Sequence, residues 1–466
     1  MHFRQWRRAL VNLCVMALVL GVAMGCSSGE PYNRPVFPFL KSYASARHVG
    51  APMLLGNANW WGRFSDKSLD RLVSVGLAEN LTLAAARERI NEASADFASI
   101  PGAASLTPTA AMQSGGAMAG PASTSSQARV TFSWLLDPYG GRREQLKSAG
   151  AQVEVADAEV KAAQLLVLMR LSNAYVDLRY QQRILVVRGQ DLTARRSTLA
   201  MTQRLLDANY STRLEVARSQ AVVAEIEAQI PAVKAAIIAK TNEISVLLGY
   251  APGALPSDLA ASLSNGAGQP RPRLSADIGI PADLLRNRPD IWIAERRYYA
   301  AIADIGTARA ALYPRLSLAG AITLASSSGR SNTDYYFGPT LELPPLLSKS
   351  GHAVVDASQS RARQAYTEWK STVLQAILEV DSALAEYSAA TRSVAAAEKT
   401  VRLYRELVDL TKELIAKDGA TLSDLIDAEA SIADANIALA NALRTQASSF
   451  VTLNISLGSG NSYQAP

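Results

Sequence analysis

Between Arg361 and Leu414 the chain runs without glycine or proline, and apolar residues return every seven positions at Val373, Val380, Tyr387, Val394, Val401 and Val408. Ala376, Ala383, Ala390, Ala397 and Tyr404 follow the first five of these three places on. That is the a/d seam of a helix lying along other helices. The stretch from about Arg142 to Asp207 repeats it, with Val153, Val160 and Val167 and then Leu171, Leu178 and Leu185. At ~1.5 Å per residue such helices are on the order of 100 Å long, longer than a globular core requires. Alanine at many seam positions lets backbones approach, and the apolar positions are wide enough for neighbours on both sides. A further helix is predicted from about Thr212 to Leu248, bent locally at Pro231.

Elsewhere the period changes from seven to two. In QARVTFSWLLD, Val130, Phe132, Trp134 and Leu136 alternate with Arg129, Thr131 and Ser133. RLSLAGAITL sets Leu316, Leu318, Ile322 and Leu324 against Ser317, Ala319, Ala321 and Thr323, and YYFGPTLELPP sets Phe337, Leu341 and Leu343 against Thr340 and Glu342. A Gly- and Ala-rich segment around Leu106 to Met118 completes four candidate strands. MAGPASTSSQ and ASSSGRSNTDY read as long polar loops joining each pair. One apolar and one polar face suits a strand between lipid and water, and also a half-buried soluble sheet. Four strands cannot close a membrane barrel, for which about eight is the minimum. If these strands span, sibling copies must complete the ring.

The pattern occurs twice. LEVARSQA at 214 returns about 209 residues later as SDLIDAEA at 423, with SVLLG at 245 matching NISLG at 454 and NAYVDL at 173 matching SALAEY at 382. Upstream, ARER at 86 pairs with AERR at 294. Each half reads helix, strand pair, long helix, helix. The organisation predicted is a leader over 1–25, an extended anchored segment over 26–60, and a first repeat over 61–250 with its hairpin at about 104–137. A linker over 251–280, a second repeat over 281–458 with its hairpin at about 314–345, and a tail over 459–466 follow.

The leader carries Arg4, Arg7 and Arg8 before the apolar run Leu10 to Met24, which is short for a spanning helix. In VAMGCSSGE, Cys26 directly follows Gly25 and resembles the lipidation box of bacterial lipoproteins, with Ala23 where leucine is usual. This implies a diacylglycerol and an N-acyl chain on Cys26, several acyl chains together giving durable attachment to outer-membrane lipid. An ordinary leader with a bystander cysteine is the alternative. Ser27 stands where an aspartate would favour inner-membrane retention in bacterial lipoproteins.

Charge and composition then exclude several classes. The formal net charge is +6, and the three leader arginines supply half of it, so nothing marks a nucleic-acid partner. Cys14 lies in the leader and Cys26 is the lipid candidate, leaving no disulfide or thiolate metal site. His2, His48 and His352 form no imidazole cluster, and neither a phosphate loop nor a nucleophile elbow is present. The expectation is no enzyme, no metal and no cofactor beyond the lipid.

The segment IPADLLRNRPDIWIAERRYYAAIADIGTARAALYPRLSLAG, Ile280 to Gly320, resembles the hallmark of the outer-membrane factor family, the TolC-like channels, and its lipoprotein branch serving tripartite efflux pumps. FSWLLDPYGGRREQL, FGPTLELPPLL and WWGRFSDKSLDRLV are similar to other junctions of that family, and the match runs from about Trp60 to Gly458. The resemblance implies a membrane β-barrel plus a long α-helical barrel: a homotrimer in which four strands per chain build a twelve-stranded barrel above a periplasmic tunnel. It also implies a periplasmic adaptor and an inner-membrane pump of the RND type, in a Gram-negative outer membrane. The function expected is a passive exit duct for drugs or other small molecules. Alternatives are a channel for type I-like protein secretion and a non-conducting structural lipoprotein of the periplasm.

The family closes its periplasmic end with charged and polar residues near the turn between the long helix and the last helix, and the matching positions are Asp424 and Asp427, on one helix face. TLSD at 421 and TRLE at 212 both read as capping boxes, Thr421 with Asp424 and Thr212 with Glu215, so Asp424 is a cap as well as an aperture candidate. The repeat partner of Asp427 is Arg218, and an Arg218–Asp427 lock between adjacent helix pairs is expected. Near Gly419 the family's tyrosine is missing. Arg288-Pro289-Asp290 reads as helix-start geometry, with Pro281 placed similarly.

Overall fold

The structure, a computed structural model, describes residues 29–37, 59–115, 123–264, 266, 268–272, 287–327, 330–344, 349–415, 417 and 419–460. Cys26 and Pro281 lie outside these residues. After a 3-10 turn at Trp60–Phe64 come α1 (Lys67–Glu79), α2 (Leu81–Ser99), β1 (Ala104–Gly115), β2 (Ser123–Leu136), α3 (Gly141–Asp207) and α4 (Arg213–Leu247). They are followed by α5 (Ser257–Ser264), α6 (Pro289–Ala310), β3 (Arg315–Ser327), β4 (Arg330–Glu342), α7 (Ser350–Ile415) and α8 (Leu422–Ser456). The chain divides into two compact units: Arg89–Asp157 and Ile293–Ser371 with the segment ending at Val36, and Phe37–Glu88, Ala158–Trp292 and Thr372–Pro466.

In the second unit the seven-residue seam is buried. Val373, Ala376, Val380, Ala383, Tyr387, Ala390, Val394, Val401 and Val408 of α7 are buried, as are Val167, Leu171 and Leu178 of α3. Leu185 of α3 is half-buried. Apolar burial at ~25 cal/mol per Å² is the main force holding such helices together. Trp60, Phe64 and Tyr387 surround the Phe450 ring at centroid distances of 6.0, 5.2 and 5.8 Å. Arg179, 1 % exposed, donates to the carbonyls of Ser262 and Leu263 and to the Tyr175 hydroxyl, tying α5 to α3. The two matched glycines of SVLLG and NISLG have the same job. Gly249 (φ 82°) and Gly458 (φ 71°) end α4 and α8 in the left-handed region, and a Cβ there would lie 2.7 Å from the Glu79 carbonyl oxygen and 2.9 Å from that of Asn287.

In the first unit the four strands form one antiparallel sheet in the order β1-β2-β3-β4, so the two hairpins lie side by side. The polar stretches expected as long loops are largely strand. β2 begins at Ser123, and β3 and β4 pair as far as Ser327 opposite Arg330. Ladder hydrogen bonds come from the backbone and continue through serine and threonine once a hairpin is in register. Beside the sheet, the segment from Gly29 packs on α6 and the start of α3. Tyr32 donates to Glu295 and Glu30 pairs with Arg309. Gly29 passes so near Gly306 that a Cβ on Gly306 would lie 3.1 Å from the Gly29 Cα and 2.6 Å from Glu144.

Candidate functional site

The sheet sorts its residues by face. Antiparallel partners point the same way, and the register places Leu106, Phe132, Gly320 and Phe337 on one rung, with Pro108, Val130, Ile322 and Tyr335 on the next. Ala104, Trp134, Leu318 and Pro339 lie on the rung below, then Leu136, Leu316 and Leu341. Above, Met112 shares a rung with Ser126, Ser326 and Ser331, where three of the four strands turn polar near the hairpin ends. From Leu136 to Ala128 this band runs about 27 Å along the strand at ~3.4 Å per residue, or about 21 Å when tilted by ~40°, close to the ~25 Å lipid-facing band of outer-membrane barrels. Gly320 leaves the space in which Phe132 and Phe337 stack, at 6.2 Å between centroids.

Every charged residue of the four strands stands on the other face. Arg129 and Asp334 both oppose Thr323, Arg315 opposes Glu342, and Arg330 opposes Ser327, all at alternate positions of β3. Serine and threonine pair across β1 and β2 on this face, Ser105 with Ser133 and Thr107 with Thr131, and Leu135 opposes Ser317 near its end. A sheet apolar on one side and polar on the other suits a wall between lipid and water.

In the second unit the helix turns hold the expected aperture residues. The Thr212 hydroxyl accepts from the Glu215 amide while the Glu215 carboxylate accepts from the Thr212 amide at 2.9 Å, and Thr421 and Asp424 repeat this reciprocal box, with 2.8 Å for the latter bond. Hydrogen bonds hold both carboxylates below the ordinary range, Glu215 chiefly through the Ser211 hydroxyl and Asp424 chiefly through that of Thr421. Asp427 is exposed. Within the chain the guanidinium of Arg218 reaches the Ser423 hydroxyl at 3.4 Å, and among the described residues no ion pair joins Arg218 to Asp427. Arg288 is buried, pairing with Asp290 and Glu379 at 2.7 Å and donating to the Ser456 carbonyl.

One turn further from the caps lies a buried charge cluster that sequence reasoning missed. Arg195 of α3 donates to the Ile426 carbonyl at 2.6 Å, pairs with Asp191 at 3.2 Å and faces Glu429 at 3.9 Å. All three side chains are buried, and Thr198 donates to Glu429 at 3.1 Å. Burial pushes the Asp191 carboxyl up, against the lowering by Arg195 and Arg188. The only signal in the sequence is the i,i+4 spacing of Asp191 and Arg195, which on an isolated helix means a solvated pair.

Two matches to one family model cover residues 72–250 and 280–459, and the model describes an outer membrane efflux protein. The chain belongs to this family. It is 33 % identical to nodulation protein T of Rhizobium leguminosarum bv. viciae over 93 % of this chain and 91 % of the relative. Outer membrane protein OprJ of Pseudomonas aeruginosa is 29 % identical over 80 % of each chain. The solved outer-membrane channel OprN superposes with a TM-score of 0.81 at 26 % identity, covering 93 % of this chain and 99 % of that one. The fold is therefore that of the outer-membrane efflux channels, a duplicated helix–hairpin–helix–helix repeat whose four strands enter a shared trimeric barrel. The protein is an efflux channel component of the Gram-negative outer membrane. No described helix is long and apolar enough to cross a membrane.

Proposed function

We propose that the chain is the passive exit duct of a tripartite efflux pump: a homotrimer that docks a periplasmic adaptor and, through it, an inner-membrane pump of the RND type. The observation that carries this reading is the segregation of Arg129, Arg315, Arg330, Asp334 and Glu342 to one face of a sheet whose opposite face is apolar. Such a sheet is stable in a bilayer only when closed, because unpaired strand edges in hydrocarbon cost several kcal/mol per unsatisfied group. A duct needs no catalytic group, as the energy is supplied at the inner membrane. Cys26 carries the lipid.

The test is single-channel recording of purified, acylated protein in planar bilayers, with the oligomer mass measured on the same sample. Trimers that conduct support the reading. A stable monomer that leaves bilayers silent overturns it. For the anchor, Cys26→Ser should lose acylation by mass spectrometry, and an acylated Cys26→Ser protein would exclude this residue as the site.

A further inference from the structure

Within the apolar band, the water-facing side of the described strands holds two charged residues, Arg129 and Asp334, both opposite Thr323. Two strand spacings, about 9.6 Å at ~4.8 Å each, separate them. Asp334 accepts instead from Asn332, at 2.9 Å. The Arg129 guanidinium donates from Nη2 to the Tyr336 hydroxyl at 3.1 Å and lies 5.9 Å from the centre of that ring. Its Nε is covered and finds no acceptor among the described residues, so the cation is held against the wall with a neutral phenol as its partner. Tyr336 itself stands 55 % exposed on the neighbouring rung with Thr131 and Ala321.

A guanidinium not neutralised by a carboxylate, beside an exposed aromatic ring, matches one ligand chemistry. The planar fork takes a carboxylate and the ring takes an aromatic face. We propose that Arg129 and Tyr336 form a transient binding site for aromatic carboxylates on the duct wall, three copies per trimer, a proposal that rests on this face lining a conducting duct. Arg129 supplies anion recognition and Tyr336 selects aromatic over aliphatic anions. Between copies, the threefold axis places the sites at one height, so they act on every solute that passes.

Salicylate is the probe, with acetate as the aliphatic anion, in planar bilayers holding the purified trimer. Salicylate should reduce or interrupt the current more than acetate. Arg129→Gln should weaken that response on the order of tenfold, as for a lost charge-assisted hydrogen bond, and move the reversal potential in a KCl gradient toward cations. Tyr336→Leu should remove the preference for salicylate over acetate while leaving the reversal potential in place. Arg129→Lys, which keeps the charge and loses the fork, should retain the reversal potential and lose salicylate affinity, and it serves if the glutamine variant does not assemble. Conducting wild-type pores whose salicylate response is the same in these variants overturn the proposal alone. Silent wild-type protein overturns the duct reading and the proposal with it.

Discussion

α4 and α8 are equivalent helices of the two repeats, each 35 residues long and each opened by a capping box, yet one chain surrounds them differently. α8 is held from two sides. Arg195 and Thr198 of α3 bond it near its start, Arg444 pairs with Asp177 of α3 at 2.6 Å, and Gln446 donates to Thr391 of α7. Two ion pairs join α4 to α3, Lys240 to Asp177 and Arg196 of α3 to Glu227, and the second half of α4 presents Ile238 at 62 % exposure. α7 has a matching open side, where Leu403, Leu407, Leu410 and Leu414 stand exposed at the four-three-four spacing of a coiled-coil seam. A duplicated sequence thus yields one helix bonded from two sides within the chain and one that keeps an open flank.

The sharpest break of that comparison is Arg195→Leu. It leaves Glu429 buried without its cation and Asp191 with only Arg188, 3.8 Å away, and removing one partner of such a cluster typically costs about 3–5 kcal/mol. Arg196→Leu, one residue along but on the α4 side, removes an exposed pair with Glu227 and should cost about 0–1 kcal/mol. Denaturant unfolding of both variants, followed by helical circular dichroism, checks the contrast. Equal losses would mean that α8 is no more tightly held than α4.

The seam that buries α7 was legible because Val373, Ala376, Val380, Ala383 and Tyr387 keep a strict period over many turns. Strand faces were legible for the same reason, period two at Val130, Phe132 and Trp134. The hairpin ends were not, because Ser125, Ser126, Ser326 and Ser331 are polar on both faces and look like loop, although the backbone ladder continues through them. The Arg195 cluster was hidden since its acceptors come from a helix far along the chain, at Ile426 and Glu429. The polar face of β2 that carries Arg129 is legible in its alternation, but the link of Arg129 to Tyr336 is a diagonal between β2 and β4, which only the register reveals. The Arg218–Asp427 lock inferred from the repeat is not formed inside one chain, where Arg218 reaches Ser423.

A smaller effect sharpens the neighbour side of the comparison. Leu407→Ser on the exposed seam of α7 should leave the unfolding of the single chain little changed and weaken the oligomer by about 1.5–3 kcal/mol per chain, the worth of burying one leucine. Light scattering on serial dilutions in detergent reads this as dissociation at higher protein concentration than wild type. Unchanged dissociation would place the seam outside the contact between copies.

The smallest expected difference lies at the two capping boxes, which bond alike but sit on unlike ground. Thr212→Ala and Thr421→Ala should each cost about 1 kcal/mol, the usual worth of an N-cap. Acid should act on the same bonds. Glu215 and Asp424 are held below the ordinary carboxylate range, so the stabilisation they give is present above about pH 4 and fades as pH falls through their depressed folded values. Amide hydrogen exchange at the Glu215 and Asp424 N–H groups, followed through an acid titration, should show both losing protection. The α8 turn should lose less, because Leu425, Ala428 and Glu429 are buried directly behind its cap, whereas the first turns of α4 bury Val216 and Ser219 alone. Equal loss at both turns would show that burial behind a cap adds nothing to its hold, and that the asymmetry between the two helices begins only beyond their first turns.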